Sequence, residues 1–523
     1  MADAVRPPDI LSLHARATPD KLAVVHDRPD GKIVTWTFAQ LEAQANKLAN
    51  ALQGLGLRRG EKLVWCGQNS PGIVRVVHAA RKLGAVAVPL NYRLSPEEAQ
   101  YVVDNSDAVM IYADAEYAPL FAKIRPDTPK VREIVIFDGA PLANMRDGDA
   151  LVAAAGAGDP AVDAAAAEAA QTMIYTSGTT GKPKGAVRGV AGSAAQSGAL
   201  LGLIGYTPND VYLTTGPLYH SGPGGFMAVA HGLGNTVVLQ KKFDAEDWLR
   251  LVEKYRVSTT FSAPTPVRLV CNLSAPVKAK YDKTSMRRFI ANAAPWSFAL
   301  KQMYLAEFPQ DSLFEIYGST ELGVNTVLRP EDQLRKPGSC GKPAPMVEIK
   351  LFDDDGKEVT VPRVAGELAV RSPGVFDTYH KASEKYDEDR RGAFHTVGDV
   401  AYFDEEGYYY ICDRKKDMII SGGVNIYPAE IEAVLDAHPK VLDVAVIGIP
   451  NEEWGESVHA VIVRLPDATL SEADILDYGR EHLAGYKIPR SVTFADEIPR
   501  NASGKILKKV LREPFWAGRT SKV

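Results

Sequence analysis

Tyr175-Thr176-Ser177-Gly178-Thr179-Thr180-Gly181-Lys182-Pro183-Lys184-Gly185 is the most informative stretch of the chain, and it follows a β-like run, Thr172-Met173-Ile174-Tyr175. Glycines let backbone N–H groups approach an anion closely, hydroxyls add hydrogen bonds, and lysines neutralise charge, so the composition suits a phosphate-binding loop. A flexible surface turn uses the same small residues but has no need of Lys182 and Lys184. The loop is not of the G-x-x-x-x-G-K-[ST] type, because Gly178 and Gly181 stand too close and Pro183 follows Lys182. Nor does the chain carry a dinucleotide fingerprint: Gly232-Leu233-Gly234 lacks the third glycine and precedes a strand.

Outward from this loop, helical patterns alternate with short apolar runs. Thr37–Leu57 reads as an amphipathic helix with Phe38, Leu41, Ala45, Leu48, Leu52 and Leu55 on one face. The strand Lys62–Cys66, a helix over Gly72–Leu83 and the strand Ala85–Leu90 follow, a spacing that implies a parallel pair covered by helices. The alternation recurs around Val211–Thr214, Thr236–Leu239 and Thr259–Ser262, so the larger part is α/β. Ala153–Ala170 is alanine-rich and reads as a helix or connector. After about residue 340 short strands separated by Gly, Asp and Pro turns suggest antiparallel β structure: Glu348–Phe352, Gly366–Arg371 and Tyr408–Cys412. A small α+β unit follows Asp413: a helix over Pro428–Ala437, strands Val444–Ile449 and Ser457–Arg464, a helix over Ser471–Leu483 and the strand Ser491–Phe494.

The loop resembles the phosphate loop of the adenylate-forming superfamily, which contains acyl-CoA synthetases, adenylation domains and beetle luciferases. Five further stretches match in the family's order. They are Pro217-Leu218-Tyr219-His220, Tyr317-Gly318-Ser319-Thr320-Glu321, Thr396-Val397-Gly398-Asp399, Asp413–Asp417 with Ser421-Gly422-Gly423, and Pro499–Lys505. The resemblance spans essentially the whole chain. It implies an α/β fold: a large N-terminal domain (1–413) of helix-covered sheets plus a β-rich lobe, and a small mobile α+β C-terminal domain (414–523). It also implies ATP, Mg²⁺ and coenzyme A, and two half-reactions, carboxylate to acyl-AMP and acyl-AMP to thioester.

By resemblance, the loop (Thr176, Ser177, Gly178, Thr179, Thr180, Gly181, Lys184) cradles the β- and γ-phosphates. Thr320 donates to the α-phosphate, Glu321 helps bind Mg²⁺, and Tyr317, next to Gly318, stacks on adenine. Asn292, Ala293, Ala294, Pro295 and Glu315 form the adenine wall, Asp399 takes the ribose, and Arg414 adds a ribose or phosphate contact. Lys505 bridges carboxylate and α-phosphate. His220 lines and gates the acyl site; it is a contact residue more than a base, since the substrate carboxylate is already ionised at pH 7. Lys242, Gly422 and Gly423 are expected near coenzyme A, and Lys416 falls at the family's hinge. Taken alone, Glu321 reads as a first-turn helix carboxylate, Asp399 as a turn residue, and Lys416 as part of a solvated basic run; the motifs around them reverse that reading.

Asn292-Ala293-Ala294-Pro295-Trp296 departs from the family, which more often begins this stretch with glycine and ends it with a smaller apolar residue; Trp296 is expected to shorten or redirect the acyl site. No acid lies within Pro217–Phe226, which argues against an amino-acid substrate. The apolar surroundings of His220 favour a medium- or long-chain fatty acid. An aromatic or alicyclic acid is the alternative, as is a stand-alone enzyme loading a carrier protein. Luciferase chemistry shares the first half-reaction. A non-catalytic adenylate-binding regulator would not need both Lys505 and Glu321.

Composition fits this reading. The 523 residues carry a net charge of -5, with 46% hydrophobic and 24% charged residues, which supplies no global basic field for nucleic acid. Cys66, Cys271, Cys340 and Cys412 are too scattered for a zinc site or a disulfide framework. The N-terminus shows no secretory signal and no apolar run approaches the ~20 residues of a spanning helix. A cytoplasmic enzyme is expected, either monomer or homodimer; loose membrane association is compatible with this.

Overall fold

Thr37 and Gln40 form a reciprocal capping box that starts the helix Phe38–Gly54, and Phe38, Leu41, Ala45, Leu48 and Leu52 are buried along one face. The strand Lys62–Cys66 follows, then the helix Pro71–Leu83, capped by the Ser70 side chain and closed by left-handed Gly84. The strand Val86–Leu90 returns parallel to Lys62–Cys66, as the crossover length predicts.

The computed structural model describes residues 9–161, 171–176, 182–189, 194–294, 296–466, 468–500 and 506–517. Among these, two large sheets build the N-terminal part. In one, the strands Leu22–Asp27, Thr236–Leu239, Val211–Thr214, Thr259–Ser262, Arg288–Ala291 and Leu313–Ser319 run parallel in that order, and Gly323–Leu328 adds antiparallel. The other centres on Lys62–Cys66 and carries Gln171–Thr176 beside Val86–Leu90. One apolar cluster draws Leu63 and Tyr112 from this sheet, Val237, Ile290 and Ile316 from the first, and Leu41, Val74 and Met227 from helices. Burial of that kind is worth roughly 25 cal/mol per Å² of apolar surface, and here it locks the two sheets together.

An antiparallel lobe follows, made of Glu348–Phe352, Gly366–Arg371, Phe394–Phe403 and Tyr409–Arg414. The last strand runs two residues further than the sequence suggests, which sets Arg414 opposite Asp399. The C-terminal sheet joins Val424–Ile426, Ile419–Ser421, Gly455–Arg464, Val441–Asn451 and Ser491–Phe494, with the helices Pro428–Asp436 and Glu472–His482 packed on it. A final helix, Lys508–Trp516, has no counterpart in the sequence reading. Ser421-Gly422-Gly423 is the end of one strand and a two-residue turn; Gly422 and Gly423 have φ of 58° and 79°. Positive φ at both central residues is the geometry of the tight hairpin turn that Gly-Gly favours. The four cysteines are free. Among the described residues, no helix is long and apolar enough to cross a membrane.

Candidate active site

The phosphate-loop stretch forms a hairpin. Gln171–Thr176 and Lys184–Gly189 pair antiparallel, with Thr176 opposite Lys184. Ser177, Gly178, Thr179, Thr180 and Gly181 lie outside the described residues, as do Pro295 and Lys505. At the base, the Thr176 hydroxyl donates to Glu321 Oε1 at 2.9 Å, and the Tyr379 hydroxyl donates to the same oxygen at 3.3 Å. Lys184 Nζ stands 5.8 Å from the centroid of the Tyr379 ring. The structure thus brings the base of this hairpin against Glu321, which is far away in sequence.

Glu321 is buried and sits in the hairpin turn between Leu313–Ser319 and Gly323–Leu328. The helix-terminus alternative therefore does not hold. The turn is tight because Gly318 has no side chain; a Cβ there would stand 2.1 Å from the Gly323 carbonyl oxygen. Arg188, which sequence reasoning missed, fixes it from outside. Its guanidinium donates to the Thr320 carbonyl at 2.7 Å and to the Gly374 carbonyl at 2.5 Å. Lying on the return strand of the phosphate hairpin, Arg188 ties that hairpin to the Thr320–Glu321 turn. Thr320 also shares a 2.9 Å hydrogen bond with Ser221 at the start of the helix Ser221–Gly232, whose N-cap residue is His220. Thr320, Glu321 and His220 are therefore neighbours. Beside them, Phe226 and Phe261 stack at 5.3 Å, and Gly222 leaves room for the Phe261 ring, which a Cβ would meet at 2.3 Å.

Tyr317, Asp399 and Arg414 form a second group. The Tyr317 hydroxyl donates to Asp399 Oδ2 at 2.6 Å, while Arg414 Nε lies 3.2 Å from Asp399 Oδ1. Burial first, and then the Asp399 carboxylate, raise the Tyr317 phenol well above its ordinary value. Both Asp399 oxygens, read as open acceptors for ribose hydroxyls, are therefore engaged by protein groups in this state.

The adenine-wall residues divide. Ala293 has a φ of +73°, costing about 1–2 kcal/mol for a residue with a Cβ. Asn292 holds this conformation: its side-chain oxygen accepts from the Ala293 N–H and its amide donates to the Ile316 carbonyl at 2.6 Å. Ala294 follows Ala293 and is half-buried. Glu315 is buried and ion-paired with the buried Lys301, a partner the sequence did not suggest. Trp296 corrects an expectation. It does not enter the acyl site; it is buried against Phe289 and Tyr304 in the core beneath the helix Phe298–Glu307.

The remaining residues lie apart. Lys242 is exposed just after the strand Thr236–Leu239. Gly422 and Gly423 are exposed at a hairpin tip, where Gly422 faces the Trp454 ring. Lys416 is half-buried, and burial above all draws its ammonium down to about 8, so it is not one of a solvated run. The Lys505 loop is closed at its base by a bridge between Arg500 and Ile506 and by the Leu507 N–H donating to the Pro499 carbonyl at 2.8 Å.

Comparison with known proteins agrees with this geometry. The AMP-binding enzyme model matches residues 11–380 and the AMP-binding enzyme C-terminal domain model matches 430–505. A long-chain-fatty-acid–CoA ligase of Mycobacterium tuberculosis is 34% identical over 97% of this chain and 98% of its own. A fatty acid–[acyl-carrier-protein] ligase of Streptomyces coeruleorubidus is 33% identical over 98% and 97%. The crystal structure of an anthranilate CoA ligase in complex with anthranoyl-AMP superposes with a TM-score of 0.87 at 27% identity, over 98% of each chain. The chain belongs to the AMP-binding enzyme family and is an adenylate-forming acid–thiol ligase.

Proposed function

We propose that this enzyme activates an apolar carboxylic acid with Mg-ATP to acyl-AMP and pyrophosphate, then transfers the acyl group to coenzyme A. The observation that carries this reading is the convergence on Glu321. Its carboxylate is held by Thr176 at the base of the phosphate loop, and its neighbour Thr320 touches Ser221 beside His220. ATP phosphates over the loop would thus meet an acid entering past His220. Lys184 and Lys505 offset the repulsion between two anions, and Thr320 donates where charge gathers at the α-phosphate.

Glu321 fits Mg²⁺: among the described residues, the hydrogen bonds from Thr176 and Tyr379 fall on Oε1, and Oε2 would serve as a hard oxygen donor. When bound, Mg²⁺ neutralises phosphate charge. Among the described residues, no cluster of three or more His, Cys, Asp or Glu could hold a metal by itself, so the phosphates would supply the other ligands. ATP binding would draw Asp399 from Tyr317 toward the ribose hydroxyls and free the Tyr317 ring face for adenine, flanked by Ala293, Ala294 and Pro295.

A medium- or long-chain fatty acid is our preferred substrate, in keeping with the mycobacterial relative. The stacked Phe226–Phe261 pair next to Gly222 favours a second reading, a flat aromatic acid. The carrier-protein relative keeps a protein-bound thiol as the alternative acceptor. A cytoplasmic location fits, as does a small C-terminal domain that moves between the half-reactions. Incubation with a panel of fatty and aromatic acids, with and without coenzyme A, measuring pyrophosphate and thioester separately, tests all of this. Pyrophosphate release without thioester would overturn the coenzyme A step, and release with no acid would overturn the activity.

A further inference from the structure

The segment around Lys416 is held from different sides. Up to Lys415 it belongs to the β-rich lobe: Asp413 pairs with Val400, Arg414 with Asp399, and the Lys415 N–H donates to the Gly398 carbonyl at 2.8 Å. From Lys416 onward it belongs to the small domain: Arg512, on the last helix, donates to the Lys416 and Asp417 carbonyls at 3.4 and 3.0 Å. Any contact from Asp413 or earlier to the small domain therefore spans this junction and must change if the domain turns there.

Two such contacts grip the two ends of one helix, Pro428–Asp436. At its N-terminus the N-cap residue Tyr427 offers no side-chain acceptor. Asp413 supplies one from across the junction: its Oδ2 accepts the Ala429 N–H at 3.1 Å, and its Oδ1 the Arg414 N–H at 2.7 Å. At the other end, Arg268 lies 3.0 Å from Asp436 and donates to the Leu442 carbonyl at 3.3 Å. Arg268 stands on the helix Pro264–Cys271, which begins just after the strand that carries Phe261. A carboxylate at the N-terminus and a guanidinium at the C-terminus both complement the helix dipole.

Asp413 has a second small-domain partner. Lys508 Nζ lies 3.4 Å from Asp413 Oδ2 and 3.0 Å from Glu432 Oε1, and all three side chains are largely buried. Burial alone would lower the Lys508 ammonium, but Glu432 and then Asp413 outweigh it and hold it at about 12. Lys508 follows Lys505 by three residues, so the same cluster anchors the C-terminal flank of the lysine loop. Glu432 belongs to the small domain and moves with Lys508. Releasing Asp413 therefore leaves Lys508 still paired, without the heavy penalty of an uncompensated buried charge. The contact can break and re-form.

We propose that Asp413 and Arg268 are positioning residues: gripping the Pro428–Asp436 helix at its two ends, they hold the small domain, and the Lys505 loop with it, in one of two working orientations. This rests on the two-step reading above. Neither side chain touches substrate; each acts by setting how much of the enzyme occupies this orientation.

The test compares Asp413→Asn, Arg268→Gln and Arg268→Lys with wild type in the two half-reactions assayed apart: acyl-AMP formation by pyrophosphate release, and thioester formation from supplied acyl-adenylate. Losing one charge-assisted contact should change the ratio of the two rates about ten-fold. Asp413→Asn and Arg268→Gln should shift it in the same direction, while Arg268→Lys, which keeps the charge, stays near wild type. Equal loss in both half-reactions, or shifts in opposite directions, overturns the proposal. Should Asp413→Asn fail to fold, Arg268→Gln carries the same test from a separate helix. Lys416→Pro serves as the reference for the pivot. If it separates the half-reactions and the grip variants leave the ratio unchanged, the grip is wrong. If the grip variants shift the ratio and Lys416→Pro does not, the grip stands and the pivot lies elsewhere.

Discussion

A lysine ammonium beside the α-phosphate matters only while negative charge gathers there. Lys505→Ala is therefore expected to lower acyl-AMP formation by about 10²–10³-fold and to spare thioester formation from supplied acyl-adenylate; equal loss of both would remove Lys505 from that role. Glu321→Ala should raise the Mg²⁺ concentration needed for half-maximal adenylation and lower the rate. An unchanged Mg²⁺ dependence would leave Glu321 only as the anchor of Thr176 and Tyr379. At this scale the sequence named Thr176, Thr320, Glu321, Tyr317 and Asp399, because motif order marks which residues belong to the site. It could not reveal Arg188 or Lys301. A buried cation is recognised by the carbonyls or carboxylate that surround it, and those come from distant parts of the chain: Gly374 and Thr320 for Arg188, Glu315 for Lys301.

Between elements, the helices Pro71–Leu83 and Ser221–Gly232 meet through two buried histidines. Arg81 donates to His78 Nδ1 at 3.2 Å, so His78 Nε2 carries the proton it gives to His231 Nδ1 at 3.0 Å, and His231 Nε2 donates on to the Ala23 carbonyl at 3.0 Å. The first two links need neutral imidazoles, since a protonated ring has no nitrogen left to accept. Burial above all lowers His231 to about 4 and His78 well below its usual value; the nearby Arg81 acts in the same direction. The unfolded chain, with His near 6.5, takes up protons first as pH falls. The pair's contribution to stability is thus whole above about pH 6.5 and is lost as pH falls toward 4. Urea unfolding should show wild type losing more stability than His231→Gln between about pH 7.5 and about pH 5; parallel losses would disprove the link. The strands on either side were legible because apolar runs bounded by turn residues specify them locally. The side chain of Trp296 was not, since the same residue suits a pocket wall or a core, and only the packing of Phe289 and Tyr304 draws it inward.

Across the whole molecule, the proposed mechanism would bring Lys505 into the site for the first half-reaction, yet the thiol of coenzyme A would later have to reach the same carbonyl. The rotation of the small domain about Lys416 proposed here would resolve the conflict, and exposed Gly422-Gly423 would suit the face that replaces Lys505, since glycines let a narrow pantetheine pass close to backbone. Hinges are a few residues that absorb a large change in φ and ψ. The Asp417 N–H donates to the Arg414 carbonyl, which makes Lys416 the third residue of a turn, where proline is disfavoured and restricts the residue before it. Lys416→Pro is expected to stay folded, retain much of adenylation and lose thioester formation. Thioester synthesis at the wild-type rate would show that the pivot lies elsewhere.

By itself the sequence determined the order of elements, the candidate phosphate-loop stretch and the kinds of chemical group available, because each is written in adjacent residues: periodicity, turn chemistry and short motifs act over a few bonds. The tertiary structure alone decided which groups meet. Glu321 lies in a hairpin turn beneath Thr176, 145 residues away in sequence; Tyr317 and Arg414 hold Asp399 between them; and Asp413 and Arg268 grip one helix from two sides. Such pairings follow from how the sheets stack and where the chain returns. They depend on burial summed over the whole core, which no single stretch of sequence encodes.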